Sequence, residues 1–159
     1  MIKTARKSFT SAMVAKATVP LTGHTYWGKN IRNEMGRARW GKLRKVILAE
    51  QDNECACCGS KNKSQCHEVW EFNDEKGVQT LKAFQATCSL CYLGSYFGLA
   101  QKLASQGHAY IDNIVGQFLK VNGISVEQFR ELLSEAVTIF EKRCEIEWSQ
   151  DFADYTSLL

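Results

Sequence analysis

Two cysteine pairs constrain the fold of this chain more than any other feature. Each pair has the spacing Cys-x-x-Cys, and turn-forming residues flank the first of them. Two residues between paired cysteines allow both thiolates to reach one ion from a single tight turn, and structural zinc takes four such ligands in a tetrahedron. Buried apolar cysteines rarely produce this double pattern. The spacing therefore predicts one structural zinc ion with the ligands Cys55, Cys58, Cys88 and Cys91.

Three more cysteines bring the total to seven. Cys57 lies inside the first pair and could replace one of its members, Cys66 is a spare thiol, and Cys144 is expected in the core. Without a secretory signal pattern, these cysteines favour metal binding in a reducing compartment over a disulfide framework. Charged residues recur throughout, so no apolar run approaches the roughly 18 residues of a membrane helix. We expect a soluble cytoplasmic protein with no membrane partner.

Positive charge is concentrated in the first third of the sequence. Residues 1–50 contain eleven basic and two acidic side chains, whereas residues 51–159 contain nine basic and fifteen acidic ones. The basic part begins with a predicted extension at residues 1–23, and its charge favours phosphate or an acidic protein face as a partner. The alternative is a solvated surface without a partner. If nucleic acid is bound, the expected phosphate contacts are Lys29, Arg32, Arg37, Arg39, Lys42, Arg44 and Lys45.

Apolar periodicity predicts the secondary structure of the remaining chain. The predicted elements are a basic helix over 37–50, a β-hairpin around the turn 73–77, and helices over 92–106, 110–121 and from Ser125 to about Trp148. Ser125 and Gln128 have the spacing of a capping box at the start of the last helix. Together these elements predict an α+β domain over 24–159, with a zinc-bearing hairpin-plus-helix core and C-terminal helices within 107–150.

The order of these motifs resembles a known family. A basic helix is followed by Cys-x-x-Cys, a hairpin that contains Cys-His-Glu-Val-Trp-Glu-Phe over 66–72, a second Cys-x-x-Cys and a helix. This order resembles the HNH endonucleases, and more closely a group of small phage and bacterial HNH proteins, from about Tyr26 to Trp148. The resemblance implies a ββα-metal unit, in which a strand histidine activates water beside a divalent cation. His67 matches that histidine, and Glu68 is the second candidate catalytic residue.

The helix after the second cysteine pair departs from the family pattern. Related proteins have histidine directly after the last cysteine and again four residues later, whereas this chain has Tyr92 and Tyr96. Residues four apart share a helix face, so both changes fall on the surface that should hold the cation. Neutral tyrosine hydroxyls are poor ligands for a hard divalent metal. The resemblance therefore implies a retained zinc frame and a lost catalytic metal site.

Three functional hypotheses follow from this pattern. In the first, the chain is an inactive HNH-like protein that binds DNA, RNA or a nucleic-acid-handling complex, and a phage or mobile-element protein of this kind could block a host defence nuclease such as a CRISPR effector in the bacterial cytoplasm. In the second, it is an active endonuclease with His67 as base, and Glu68, Glu71 or Asp74 holds a second divalent metal. In the third, His67 is a structural strand histidine, and the tyrosines simply pack under the hairpin.

Overall fold

The computed structural model describes residues 30–61 and 65–158, so the predicted extension at 1–23 and the predicted phosphate contact Lys29 lie outside the described residues. The structure is of the mixed α+β class, as the sequence predicts. Its helices are α1 (Ile31–Met35), α2 (Arg37–Glu50), α3 (Ser89–Ser95), α4 (Phe97–Ser105), α5 (Ile111–Asn122), α6 (Val126–Cys144) and a 3₁₀ segment (Ala153–Leu158). Its strands are β1 (Gln65–Asn73), β2 (Val78–Thr87) and β3 (Ser149–Asp151). None of the helices in these ranges has the length and apolar character that crossing a bilayer requires.

A three-stranded sheet forms the centre of the molecule, in the order β1-β2-β3. Strands β1 and β2 form the predicted antiparallel hairpin, and β3 runs parallel to β2 with Ser149 opposite Val78. The hairpin turn ends at Gly77, which has a φ of +60°. A side chain at this position would also collide with the backbone carbonyl of Glu147. Only glycine therefore allows the C-terminal segment to approach the turn this closely.

Two apolar clusters cover different parts of this framework. In the first, Trp40, Leu43 and Ile47 lie on one face of α2 at helical spacing and pack toward the sheet residues Leu81 and Phe84. The second joins α4, α5 and α6 and contains Phe97, Ala100, Ile114, Phe118 and Phe129. The basic residues of α2 are thus carried on a helix whose opposite face is fixed to the sheet.

The helix predicted over 92–106 is two helices, because the backbone turns at Tyr96 (φ −114°, ψ 61°) between α3 and α4. Gly94, two residues before this break, allows α3 to approach α5 closely, since a Cβ there would lie 3.3 Å from the Phe118 ring. Glycine also weakens a helix interior by about 1 kcal/mol relative to alanine. Close packing against α5 and a weak helix former thus coincide near the end of α3.

The last helix also differs from its predicted length, since α6 ends at Cys144 rather than at about Trp148. The Trp148 indole donates a hydrogen bond to the Arg143 carbonyl (3.0 Å), which folds the chain back at the helix end. The Arg143 guanidinium forms a bidentate ion pair with Asp74 of the hairpin turn, with N···O distances of 2.7 and 3.1 Å. It also lies over the Phe72 ring, 4.4 Å from the centroid. The end of α6 is therefore fastened to the tip of the hairpin.

Candidate metal centre and the adjoining histidine–tyrosine cluster

The first cysteine pair lies in a tight loop between α2 and β1. The amide of Cys55 donates to the Ser60 carbonyl, and the amide of Gly59 donates to the Cys55 carbonyl, each at 2.8 Å. The amide of Ala56 donates to the Ala86 carbonyl at 2.9 Å, which fixes the loop to the end of β2. Backbone hydrogen bonds therefore hold the first two sulfur positions next to the strand that leads into the second pair.

The second cysteine pair lies where β2 passes into α3. Cys88 follows the last strand residue and is the N-cap of α3, and its carbonyl accepts a hydrogen bond from the Tyr92 amide at 2.9 Å. Cys91 lies in the first turn of the helix, so both sulfurs project from the same end of α3. The side-chain amide of Gln117, on α5, donates a hydrogen bond to the Cys91 sulfur at 3.5 Å. Sequence reasoning missed Gln117 because its only connection to the site is a contact across 26 positions of chain.

The four predicted ligands converge on one point. Their sulfur atoms all lie within 4.8 Å of one another, and the sulfurs of Cys58 and Cys88 are 3.8 Å apart. A tetrahedral zinc ion with Zn–S bonds of about 2.3 Å requires neighbouring sulfurs to be separated by about 3.8 Å. Three of the four thiols are buried, and that of Cys58 is exposed. The arrangement fits a metal ion and is consistent with structural zinc.

A fifth thiol lies beside this cluster. Cys57 packs against the buried cluster of Cys55, Cys88 and Cys91. The hydrogen bonds from Cys57 and Cys91 hold the pKa of Cys55 far below its usual range. The same contact with Cys55 raises the pKa of Cys57 to about 12 and also raises that of Cys91. The surroundings of Cys55 therefore favour its thiolate, which is the form of cysteine that binds metal ions.

A second cluster lies on the same helix, beside the cysteines. The imidazole of His67 on β1 packs edge-on against the rings of Tyr92 and Tyr96, with centroid separations of 5.8 and 5.0 Å. Burial lowers the pKa of His67 to about 4, and its buried Nδ1 has no hydrogen-bond partner among the described residues. Burial likewise raises the pKa of both tyrosine hydroxyls. All three side chains are therefore uncharged at neutral pH.

Glu68, the second candidate catalytic residue, is fixed by other contacts. Its carboxylate accepts hydrogen bonds from the Trp70 indole (3.0 Å) and from the Arg32 backbone amide (3.4 Å). Burial raises its pKa, and these hydrogen bonds act in the opposite direction. Glu68 therefore anchors the beginning of α1 to the first strand of the sheet.

The other carboxylates proposed as metal ligands are also engaged. Glu71 pairs with Lys82 at 3.0 Å, and Asp74 pairs with Arg143. Each carboxylate already has a cationic partner, so binding a divalent metal would require breaking an ion pair at both positions. The described residues offer His67 no free acidic neighbour among these candidates.

The described candidates for phosphate contact lie on α1 and α2. Lys42 and Lys45 are three residues apart and share the face of α2 that is opposite its buried residues. Arg44 is partly buried, and the other described members are exposed: Arg32, Arg37, Arg39, Lys42 and Lys45. The structure thus brings six of the seven predicted residues onto one helical pair, spread around α2 rather than aligned in a single stripe.

Comparisons of the chain with protein-family models, with curated proteins and with solved structures find no significant match. The HNH resemblance therefore stays a prediction from the order of motifs. What the structure provides is a four-cysteine cluster, an antiparallel hairpin and a following helix that places Tyr92 and Tyr96 against His67.

Proposed function

We propose that this chain is a zinc-stabilised, non-catalytic HNH-like protein that binds nucleic acid through the basic surface of α1 and α2. One observation carries the non-catalytic part of the proposal: the His67 imidazole is covered by two tyrosine rings on the helix that would have to supply metal ligands. The four-cysteine cluster keeps that helix and the hairpin together without taking part in chemistry. The protein then acts by binding.

The electrostatics of His67 support this proposal. A general base is most effective when its pKa lies near the working pH, whereas that of His67 is lowered to about 4. Metal-assisted phosphodiester hydrolysis also requires a cation to neutralise the charge that develops on phosphate. The tyrosines are neutral, and Glu71 and Asp74 are held in ion pairs. Among the described residues, these candidates offer neither a base with a suitable pKa nor an unpaired carboxylate for the metal.

The basic helices support the binding part. Lys42 and Lys45 project from a helix whose other face is buried against the sheet, so a bound phosphate would meet a rigid surface. Contacts from lysine and arginine to phosphate give affinity that falls steeply with salt and depends little on sequence. We therefore expect binding to DNA and RNA of many sequences rather than to one operator.

Binding can be tested by fluorescence anisotropy with zinc-loaded protein and labelled duplex DNA and single-stranded RNA over a range of salt concentrations. In Lys42→Glu/Lys45→Glu, reversal of two charges should weaken binding by about tenfold or more at low salt and reduce the salt slope. The matched control is Lys102→Glu/Lys120→Glu, which reverses two exposed lysines on α4 and α5. Equal losses in both variants, or an affinity of the parent that is independent of salt, would rule out a specific role for α2.

The active endonuclease is a second candidate because the buried Nδ1 of His67 has no hydrogen-bond partner among the described residues. Plasmid DNA and RNA are incubated with the protein and with magnesium, manganese or nickel, alongside His67→Ala. Cleavage that depends on metal and is lost in His67→Ala would overturn the non-catalytic proposal. Intact substrate with every metal, together with binding in the anisotropy experiment, supports it.

A further inference from the structure

The zinc cluster has more thiols than a tetrahedral ion can use. Four sulfurs would satisfy the ion, and Cys57 is a fifth cysteine outside that set of four. Cys57 also packs against the buried cysteine cluster together with Val121. A thiol that is not needed for coordination would then lie beside the ligands without being bound to the ion. It is therefore placed to react with a ligand rather than to replace one.

A surface groove gives access to this contact. Cys57 and Cys91 both line it, together with Leu90, Gln117 and Val121, whereas the other three ligands do not. Leu90 at its edge is exposed. A small oxidant such as hydrogen peroxide can therefore meet the Cys91 sulfur on the side where the spare thiol lies. The groove distinguishes Cys91 from Cys55, which is almost fully buried.

We propose that Cys57 is the resolving thiol of a peroxide-sensitive zinc site, and that oxidation forms a Cys57–Cys91 disulfide and releases the metal. In the first step the Cys91 thiolate attacks one peroxide oxygen, which gives a sulfenic acid and hydroxide. In the second step the Cys57 sulfur attacks the Cys91 sulfur and displaces the oxygen, which leaves with the Cys57 proton as water. Both sulfurs are oxidised by one electron and the two peroxide oxygens are reduced, so no other co-reactant is required.

The competing product is a disulfide between two ligands. Cys58 is exposed, and its sulfur lies 3.8 Å from that of Cys88, so a Cys58–Cys88 bridge is sterically feasible. That route requires a second thiolate to leave the zinc ion before it can attack. The Cys57 route uses a thiol that is already free of the metal, and therefore removes only one ligand at the step that forms the bond.

The experiment follows zinc release from the zinc-loaded full chain with a colorimetric chelator during peroxide treatment, and then maps disulfides by peptide mass spectrometry. We expect the Cys57–Cys91 disulfide as the main product and full recovery of zinc binding after dithiothreitol and added zinc. A main product that omits Cys57, such as Cys58–Cys88, would overturn the proposal even if every variant failed to fold.

Two variants sharpen the result. Cys57→Ser should bind zinc normally but recover less of it after reduction, because a sulfenic acid without a resolving thiol is oxidised further to an irreversible sulfinic acid. The matched control is Cys66→Ser, which removes a partly buried thiol of β1 outside the cluster and should behave as the parent does. Equal recovery in Cys57→Ser and in the parent would contradict the assignment.

Discussion

The two clusters beside α3 differ in what they can hold, although they occupy the same small helix. Cys88 and Cys91 at its start meet two further sulfurs in a geometry that fits a metal. Tyr92 and Tyr96 contact the ring of His67 and each other, and no second metal-binding side chain joins them among the candidates described above. Coordination that supports a fold and coordination that supports catalysis can therefore be gained or lost independently on neighbouring residues.

The largest effect should come from the cysteine cluster. We expect Cys88→Ser, or removal of zinc by a strong chelator, to lower the free energy of unfolding by about 4 kcal/mol or more, because metal binding is coupled to folding. For a domain of this size, that corresponds to a fall of roughly 8–16 °C in Tm. Thermal unfolding followed by circular dichroism measures it, with Cys144→Ser as the control outside the cluster. An unchanged Tm after complete zinc removal would show that the cluster does not support the fold.

A smaller change in the free energy of unfolding is expected from protonation of His67. Its pKa is lowered from 6.5 to about 4 in the folded protein, so protonation favours the unfolded chain. The stability associated with neutral His67 is present above pH 6.5 and is lost as the pH falls toward about 4. Integrated over this window, the loss is about 3 kcal/mol, of which about 2 kcal/mol appears by about pH 5.

Urea unfolding at several pH values with excess zinc would measure this loss against His67→Phe, which keeps an aromatic ring at the position and cannot be protonated. The parent should lose more stability than the variant on acidification, whereas both lose the same contribution from protonation of the zinc ligands. His108→Phe removes an exposed histidine and should follow the parent. Parallel pH profiles of the parent and His67→Phe would show that His67 is not buried in the neutral form.

Histidine substitutions can supply further metal ligands to the cluster of His67, Tyr92 and Tyr96. In Tyr92→His/Tyr96→His, three imidazoles lie on facing surfaces of β1 and α3, and imidazole is a good zinc ligand. We expect the zinc content after dialysis to rise from one to two ions per chain, and the second ion to add roughly 1.4 kcal/mol of stability at ten times its Kd. Tyr92→Phe/Tyr96→Phe is the matched control. A single zinc ion in the histidine variant would mean that the geometry around His67 is itself unsuited to a metal.

The smallest effect is expected at Glu68. Its pKa is raised by burial, so the ionised carboxylate is disfavoured in the folded state. The contribution of a group with a raised pKa is fully present below its unfolded pKa and is lost as the pH rises through the folded value. Glu68→Gln keeps an oxygen acceptor and has no charge to bury, so its stability relative to the parent should increase slightly with pH.

Chemical unfolding of the two proteins between mildly acidic and neutral pH measures this difference. Glu71→Gln, which changes an exposed carboxylate of the same strand, is the matched control. If Glu68→Gln instead becomes less stable than the parent as the pH rises, the prediction is wrong, and the negative charge of Glu68 stabilises the position of α1.

The parts of the fold that could be predicted are those set by local spacing. The cysteine pairs, the hairpin and α2 depend on turn residues, alternation and helical period within short stretches. The bounds of α2 agree with the prediction, and β1 and β2 meet at the predicted turn 73–77. Helix α1 was not predicted, because a five-residue helix has little periodicity of its own and depends on its Asn30 cap and on Glu68. The break at Tyr96, the end of α6 and strand β3 depend on contacts with distant residues. The contacts of Cys57 and Gln117 could not be predicted from the sequence for the same reason.

The contact between Gly77 and the segment after α6 has a consequence for how the molecule opens. The Ser149 amide donates a hydrogen bond to the Gly77 carbonyl at 2.7 Å. Arg143 forms an ion pair with Asp74, which lies three residues before Gly77. These bonds couple the sheet to the helical half across about seventy positions of chain, so the hairpin tip, which is usually the first place to fray, should exchange its amide hydrogens slowly. Loops of this length must close before the sheet is complete, and non-local closure of this kind slows folding.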